Sequence, residues 1–247
     1  MKKLICIFLL ASQFLNAQSG FEKGNALYQK GHYEETITAY ESVFQTKKQS
    51  AELYFNLGNA YYKLNKVAPA IYNYEKALVL NPNDPEIHNN LKFAKKMTID
   101  EIKEVPKVGF AKLLRDFTAL CHYDGWAWIS VGVSIVFLLL FLGYYFSHTA
   151  LLKRIFFIGM FGLFFLIGTC ILAAIFEKNY YKSERPAVVF AEVVSVKSEP
   201  KESGPDVFVL HEGTKVFVED VLDGWKKIQL TDGTEGWIES SAIKEVK

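Results

Sequence analysis

The sequence is poor in cysteine, nearly balanced in charge and without the signature of a reaction. Three cysteines in 247 residues are too few for a disulfide framework; Cys6 and Cys170 lie inside apolar runs, and Cys121 sits just before another. With 28 basic side chains against 27 acidic ones, the basic excess that a nucleic-acid-binding face needs is missing, so nucleic acid is not an expected partner. No phosphate-binding loop, GxSxG elbow, HExxH or CxxC pattern occurs. The five histidines (His32, His88, His122, His148, His211) fall in different segments. Cys121 and His122 are adjacent, but neighbours on a helix point about 100° apart, so interfacial residues are a better reading than a catalytic dyad. The chain is therefore expected to have no catalytic residue, no cofactor and no metal. What it has in quantity is apolar surface: 50% hydrophobic and 15% aromatic residues beside 22% charged. That balance excludes a disordered tail and points to apolar residues that meet lipid.

The first stretch, MKKLICIFLLASQFLNAQ, sets Lys2 and Lys3 ahead of a short apolar run and ends in small and polar residues. This is the layout of a secretory signal peptide over residues 1–17, cleaved after Ala17, with an uncleaved anchor as the alternative. Either one carries the next segment of the chain across the membrane. No Cys stands just after the site, so a lipid-anchored lipoprotein is not supported.

A repeat comes next. Gly24 and Gly58, Asn25 and Asn59, Ala26 and Ala60, Tyr28 and Tyr62, Ile37 and Ile71, Tyr40 and Tyr74, and Glu41 and Glu75 share one offset of 34 residues. A 34-residue period of helical patterning resembles the tetratricopeptide repeat (TPR), and Tyr54, Leu57, Gly58, Tyr61, Ala70, Tyr74, Ala77 and Pro82 carry its signature in the second copy. The first copy keeps Gly24, Gly31, Tyr33 and Tyr40 but has Thr36 in place of the usual Ala. Small residues let paired helices approach, large ones fill the gaps, and Pro82 stops the second helix. With a further helix over 85–96, residues 18–97 make an all-α array of two repeats plus a capping helix. Because about three repeats are usually needed for an independent stack, its outer face is expected to rest on a partner, another copy or a membrane. The resemblance implies a ligand groove along the first helix of each repeat, here Phe21, Asn25, Tyr28, Phe55, Asn56, Asn59, Tyr62 and Phe93. Asn25 and Asn56 match the two Asn of TPR carboxylate clamps, but Phe21, Glu86 and Asn90 stand where the basic partners belong. A clamp is therefore not expected, and an aromatic, amide-rich groove is weighed against a merely solvated face.

Residues 98–125 read as a linker followed by an amphipathic helix. Phe110, Leu113, Leu114, Phe117 and Leu120 or Cys121 recur at the spacing of one face, opposite Lys112, Arg115 and Asp116, as in helices that lie in the headgroup plane. Residues 126–146 and 155–176 contain no charge. Each run amounts to about 32 Å of helix, enough for a bilayer core of roughly 30 Å. Trp126, Trp128, Tyr144, Tyr145, Tyr180 and Tyr181 mark aromatic belts at their ends. The short connection makes a transmembrane hairpin, with Lys153 and Arg154 favouring a cytoplasmic turn. Ser130 with Ser134, and Thr169 with Ala173, give small-xxx-small spacings. No ionisable side chain lies inside either run, which disfavours ion transport.

From residue 186 to 247 short strands take over: AVVFAEVVSVKS, VFVLHEGT, KVFVEDV, WKKIQL, EGWIES and AIKEV, with Asp223-Gly224 and Asp232-Gly233 as tight turns whose central residues need positive φ. Five or six strands in this space make a small all-β barrel. Leu210 to Gly213, then DGWKKIQL, then DGTEGWI resemble the bacterial SH3 domain. In SH3 barrels aromatic residues beside the long polar loop line a peptide groove. Trp225 and Trp237 are the candidates, with simple packing of the barrel as the alternative.

The order signal peptide, TPR, two spans and bacterial SH3 domain resembles the TPR and SH3 membrane proteins of aerotolerance (Bat) operons. That resemblance implies a non-enzymatic scaffold in the cytoplasmic (inner) membrane, with both end domains periplasmic. Its partners would be proteins, among them von Willebrand-type membrane proteins of the operon, together with the lipid bilayer. The alternative is a cell-wall sensor or anchor whose SH3 domain binds peptidoglycan peptide.

Overall fold

The computed structural model describes residues 20–45, 47, 49–102 and 109–247. The expected signal peptide and the second half of the expected linker, Pro106 included, lie outside the described residues. Two compact units emerge, one joining the helices that precede residue 104 to the chain from Arg185 onward, the other built from the intervening helices.

In the first unit, α1 (Gly20–Gln29), α2 (Tyr33–Phe44), α3 (Ala51–Lys63), α4 (Val67–Leu80) and α5 (Pro85–Lys95) form the repeat array. Their ends follow local chemistry. The Ser50 hydroxyl accepts from the Leu53 N–H, and Asp84 Oδ1 accepts from the N–H groups of Glu86 and Ile87 ahead of Pro85 in the first turn. The 34-residue offset has a packing cause: the rings of Tyr40 and Tyr74, both 1% exposed, pack directly against Gly24 and Gly58. A Cβ on Gly58 would stand 2.6 Å from the Tyr74 ring, so only glycine allows the approach.

The chain from Arg185 forms β1 (Pro186–Val189), β2 (Val193–Lys197), β3 (Asp206–His211), β4 (Lys215–Leu222), β5 (Trp225–Gln229), β6 (Glu235–Glu239), a 3₁₀ turn (Ser240–Ala242) and β7 (Ile243–Glu245). The strands make one antiparallel sheet in the order β3-β2-β6-β5-β4-β1-β7. Leu210 near one edge and Ile243 at the other share a core with Val189, Val196, Val218, Ile228 and Ile238, so the sheet is rolled upon itself. Two expectations need correction. The opening stretch is two strands rather than one, broken over Phe190–Glu192 where the N–H groups of Phe190 and Ala191 turn to the carbonyl of Ala242. That raises the expected five or six strands to seven. And while Asp223 and Gly224 both have positive φ in a two-residue turn, only Gly233 does at the next hairpin. There a three-residue loop closes Leu230 on Thr234, with Asp232 Oδ1 accepting from the Thr234 N–H.

Array and barrel share a core. Val188 and Val246, fully buried, join Val67, Ile71, Tyr74 and Leu91 in one apolar cluster, and the Tyr72 and Phe190 rings meet edge to face at 5.6 Å. The barrel turn at Gly213 (φ +85°) is pressed against Val67, Ile71 and Thr98. Charges finish the joint. The buried Glu75 carboxylate receives Lys215 Nζ at 2.8 Å on Oε2 and Lys95 Nζ at 3.4 Å on Oε1. Asp100 accepts from the His211 N–H (2.7 Å) and the Thr214 hydroxyl (2.6 Å), and its other oxygen meets His211 Nδ1 at 2.7 Å. The outer face that a two-repeat array leaves open is thus covered by the chain's own barrel. Residues 98–102, at the start of the expected linker, are strapped to it, with Ile102 against the barrel core.

In the second unit, α6 (Phe110–Thr118) precedes α7 (Tyr123–Phe146) and α8 (Ala150–Ser183), joined by a three-residue connection into an antiparallel pair. Both are long and apolar enough to cross a membrane, and each runs past the uncharged stretch seen in sequence. They approach closely where Gly143 meets the Phe156 ring and Gly159 meets Leu140. Of the small-residue spacings, Ala173 is buried with Cys170 against Trp126, whereas the Ser134 and Thr169 hydroxyls donate back to the carbonyls of Ser130 and Phe165 in their own helices.

Burial alone would raise the Asp100 carboxyl, but the hydrogen bonds from Thr214 and His211 outweigh it and hold the group below the usual carboxylate range. The contribution of such a group is complete above the unfolded value of about 3.9 and disappears as pH falls through the lower folded value. Asp100→Ala leaves the His211 N–H and the Thr214 hydroxyl without their acceptor, a loss of about 1–3 kcal/mol of docking. Protection of the His211 and Gly213 amides against exchange, taken relative to the intrinsic rate at each pH, should be high and flat around neutral pH in the full chain, fall in acid below about pH 4, and be lower at neutral pH in the variant.

Candidate functional site

Among the described residues, two of the concave surfaces on the first unit hold expected groove residues. One follows the inner face of the array. Asn25 Oδ1 accepts from the Tyr40 hydroxyl (2.6 Å) and from Asn56 Nδ2 (3.3 Å); one repeat later Asn59 Oδ1 accepts from the Tyr74 hydroxyl (2.7 Å) and from Asn90 Nδ2 (2.9 Å). All three members advance by 34. Burial, with the neighbouring Tyr28, pushes the Tyr40 phenol up to about 12, and burial moves Tyr74 in the same direction, so both remain hydrogen-bond donors throughout the physiological range. With its carboxamide oxygen committed, what each of Asn25 and Asn59 can offer a ligand is its amide N–H₂. Tyr28, Asn59, Tyr62 and Phe93 line a cavity of about 350 Å³ together with Lys63, Glu86 and Asn90; Phe55 and Asn56 line a second of about 370 Å³ with Glu52 and Glu86. Phe21 is turned inward instead, its ring 5.7 Å from that of Tyr40. The groove carries aromatic faces, amides, the acids Glu52 and Glu86, and Lys63.

The second surface is a cleft of about 560 Å³ in the barrel, walled by Phe190, Val193, Ser195, Trp225, Glu239 and Ser241, with Lys197 and Glu202 at its rim. Trp225 is held there by the tight Asp223-Gly224 turn before it. Trp237, expected in the same groove, is not part of its wall. It sits on β6 opposite Lys197, the one position at which β6 pairs with β2. Beyond that rung the strands part. Because the Glu212 N–H donates to the Glu192 carbonyl, the antiparallel alternation between β2 and β3 turns the backbone groups of Val193 and Ser195 the other way, into the cleft. This gives the wall an unpaired strand edge beside two aromatic rings. Phe190 and the strand edge were not legible in sequence; the only signal was Glu192 within the otherwise apolar stretch AVVFAEVV.

Residues 24–65 and 58–94 match the family model of the TPR repeat, and residues 192–244 match that of the bacterial SH3 domain. The chain carries TPR repeats and a bacterial SH3 domain. No curated protein matches it. Domains of both kinds mediate protein interaction, and the TPR groove and the SH3 cleft are the surfaces through which they do so.

The remaining candidates for chemistry are occupied otherwise. His122 Nδ1 lies 3.5 Å from Asp124, a carboxylate that sequence did not place beside it, and its ring packs on Tyr123 and Tyr181, while Cys121 packs against the cluster of Trp126 and Cys170. His211 belongs to the TPR–SH3 joint.

Asn59→Ala removes the shared acceptor of the second repeat and leaves the Tyr74 hydroxyl buried without a partner. The expected cost is about 1–3 kcal/mol, read as a lower midpoint in thermal unfolding of the detergent-solubilised chain. Tyr74→Phe, which removes the donor as well, should partly restore stability to the Asn59→Ala background.

Proposed function

We propose that the chain is a non-enzymatic scaffold anchored by α7 and α8 in the cytoplasmic membrane, and that it presents the TPR groove and the SH3 cleft to protein partners on the extracytoplasmic side. The shared TPR–SH3 core carries this reading. Two domains packed into one core must lie on the same side of any membrane the chain crosses between them, and an even number of spans, here an antiparallel pair, meets that demand. Docking uses β1, Val246 just after β7 and the turn at Gly213, leaving both grooves open. Lys153 and Arg154 beside the connection of the hairpin favour a cytoplasmic turn. The resemblance to Bat-operon proteins adds a context, an envelope complex tied to oxygen or stress tolerance with von Willebrand-type membrane proteins as partners. Single cysteines at exposed Gln29, His148 and Ser241, introduced by Gln29→Cys, His148→Cys and Ser241→Cys after replacement of the native cysteines, test the topology. A membrane-impermeant thiol reagent should label the first and third in cells with a permeabilised outer membrane and spare the second; labelling of His148→Cys alone would reverse the reading.

The SH3 cleft favours a second reading, in which the occupant is the peptide of the cell wall. An unpaired strand edge flanked by Phe190 and Trp225 suits an extended, small-residue peptide held by main-chain hydrogen bonds. The detergent-solubilised chain should then be retained on purified sacculi and released by Trp225→Ala. Equal recovery of both proteins in the unbound fraction would leave the protein-partner reading standing alone.

A further inference from the structure

Helix α6 carries an apolar face with no protein against most of it. Phe110, Leu113 and Phe117, at positions i, i+3 and i+7, fall on one side, and Leu120 follows in the turn just beyond the helix; the four are 80%, 67%, 41% and 72% exposed. The helix is fastened to α7 and α8 at two independent points. Arg115 pairs with the buried carboxylate of Glu177 and lies 3.8 Å from the centre of the Tyr180 ring. The Thr118 carbonyl accepts from Trp126 Nε1 at 2.8 Å, and the Phe117 ring rests 5.2 Å from that of Trp126. Both anchor points fall at one level of the hairpin. Trp126 opens the uncharged run of α7, and Glu177 comes directly after the uncharged run of α8.

The helix is therefore held at the plane where two long apolar helices change from uncharged to charged. Its open face continues the exposed apolar surface of those helices, represented near the same level by Trp128 at 75% and Leu172 at 68%. We infer that α6 is a membrane-interface helix, lying along the surface of the bilayer with Phe110, Leu113, Phe117 and Leu120 sunk among the upper acyl carbons and Lys112 and Asp116 facing the headgroups. The occupant of the face is lipid. Lys112 and Asp116 offset one another, so insertion rests on apolar area and is indifferent to anionic lipid. The inference depends on the reading of α7 and α8 as spans, and the test separates the two.

The full chain, with its native cysteines replaced, is reconstituted in phosphatidylcholine vesicles with and without phosphatidylglycerol. It carries one nitroxide at a time through Leu113→Cys, Asp116→Cys or Leu139→Cys, the last on the exposed apolar surface of α7. Collision with molecular oxygen marks lipid, and collision with a water-soluble nickel complex marks solvent. The expected pattern is lipid at 139, lipid at 113 and water at 116, unchanged by phosphatidylglycerol. Lipid at 139 with water at 113 overturns the inference and leaves the spans intact. Water at 139 removes the spans and the inference together. Dipolar broadening at 113 overturns it in favour of a second copy of the chain as the occupant.

Discussion

A stack of two helical repeats leaves its last apolar face uncovered, and the covering of that face by the barrel is the constraint on which the rest of this molecule depends. The cover is apolar first: Val188 and Val246 are fully buried against α4 and α5. Burial of a valine side chain is worth about 1.5–3 kcal/mol, so two of them outweigh any surface ion pair. The polar contacts fix where the cover sits. Glu41 accepts from the Tyr61 hydroxyl of the following repeat, and 34 residues on Glu75 meets Lys95 at the position equivalent to Tyr61. Lys215 of the barrel is added to the same carboxylate. The barrel thus joins a contact that in a longer array would bind one repeat to the next. Burial by itself would raise the Glu75 carboxyl, but the two lysines hold it below its ordinary value, so it is charged and in need of them. A buried charge deprived of its partners is among the costlier defects a core can have.

What the docking consumes also decides what remains for partners. The barrel lends one end of its sheet, β1 and Val246 just after β7, and the turn at Gly213; the array lends the outer face of its last repeat. The inner face of the array and the cleft between β2 and β6 take no part. Phe190 is the exception. Its ring meets Tyr72 on one side and lines the cleft, while Lys244 Nζ stands 4.1 Å from its centre. One side chain therefore belongs both to the joint and to the recognition surface, so the array supports a wall of the SH3 cleft.

The parts legible in sequence are those in which one residue type answers one local demand. The 34-residue offset could be read because a ring lying on a helix requires glycine beneath it, twice over, at Gly24 with Tyr40 and Gly58 with Tyr74. The first hairpin turn could be read because two consecutive positive φ values select Asp-Gly. The hidden parts depend on partners far apart in the chain. Asp100, His211 and Thr214 each look like an ordinary surface residue, and nothing local says that residues 111 and 114 positions apart will share one carboxylate. Glu75 looked like a repeat-register residue and proved to be a buried charge. The break after β1 was hidden because Phe190 and Ala191 are as apolar as a strand interior, and what ends the strand is a distant acceptor, the carbonyl of Ala242.

The same distinction explains why α6 could be recognised as amphipathic but not anchored. Its anchor is a charged pair at the border of an uncharged run. Burying two charges costs several kcal/mol each, recovered only where geometry supplies further contacts. Arginine suits the place because its guanidinium is weakly hydrated and can donate to a carboxylate at its edge while an aromatic ring covers its face. Arg115 does both at once, with Glu177 at the edge and Tyr180 at the face. Lysine has no flat face to stack and a more tightly held water shell. The identity of the residue at 115, rather than its charge alone, is what allows a buried acid to stand one residue beyond an uncharged helix.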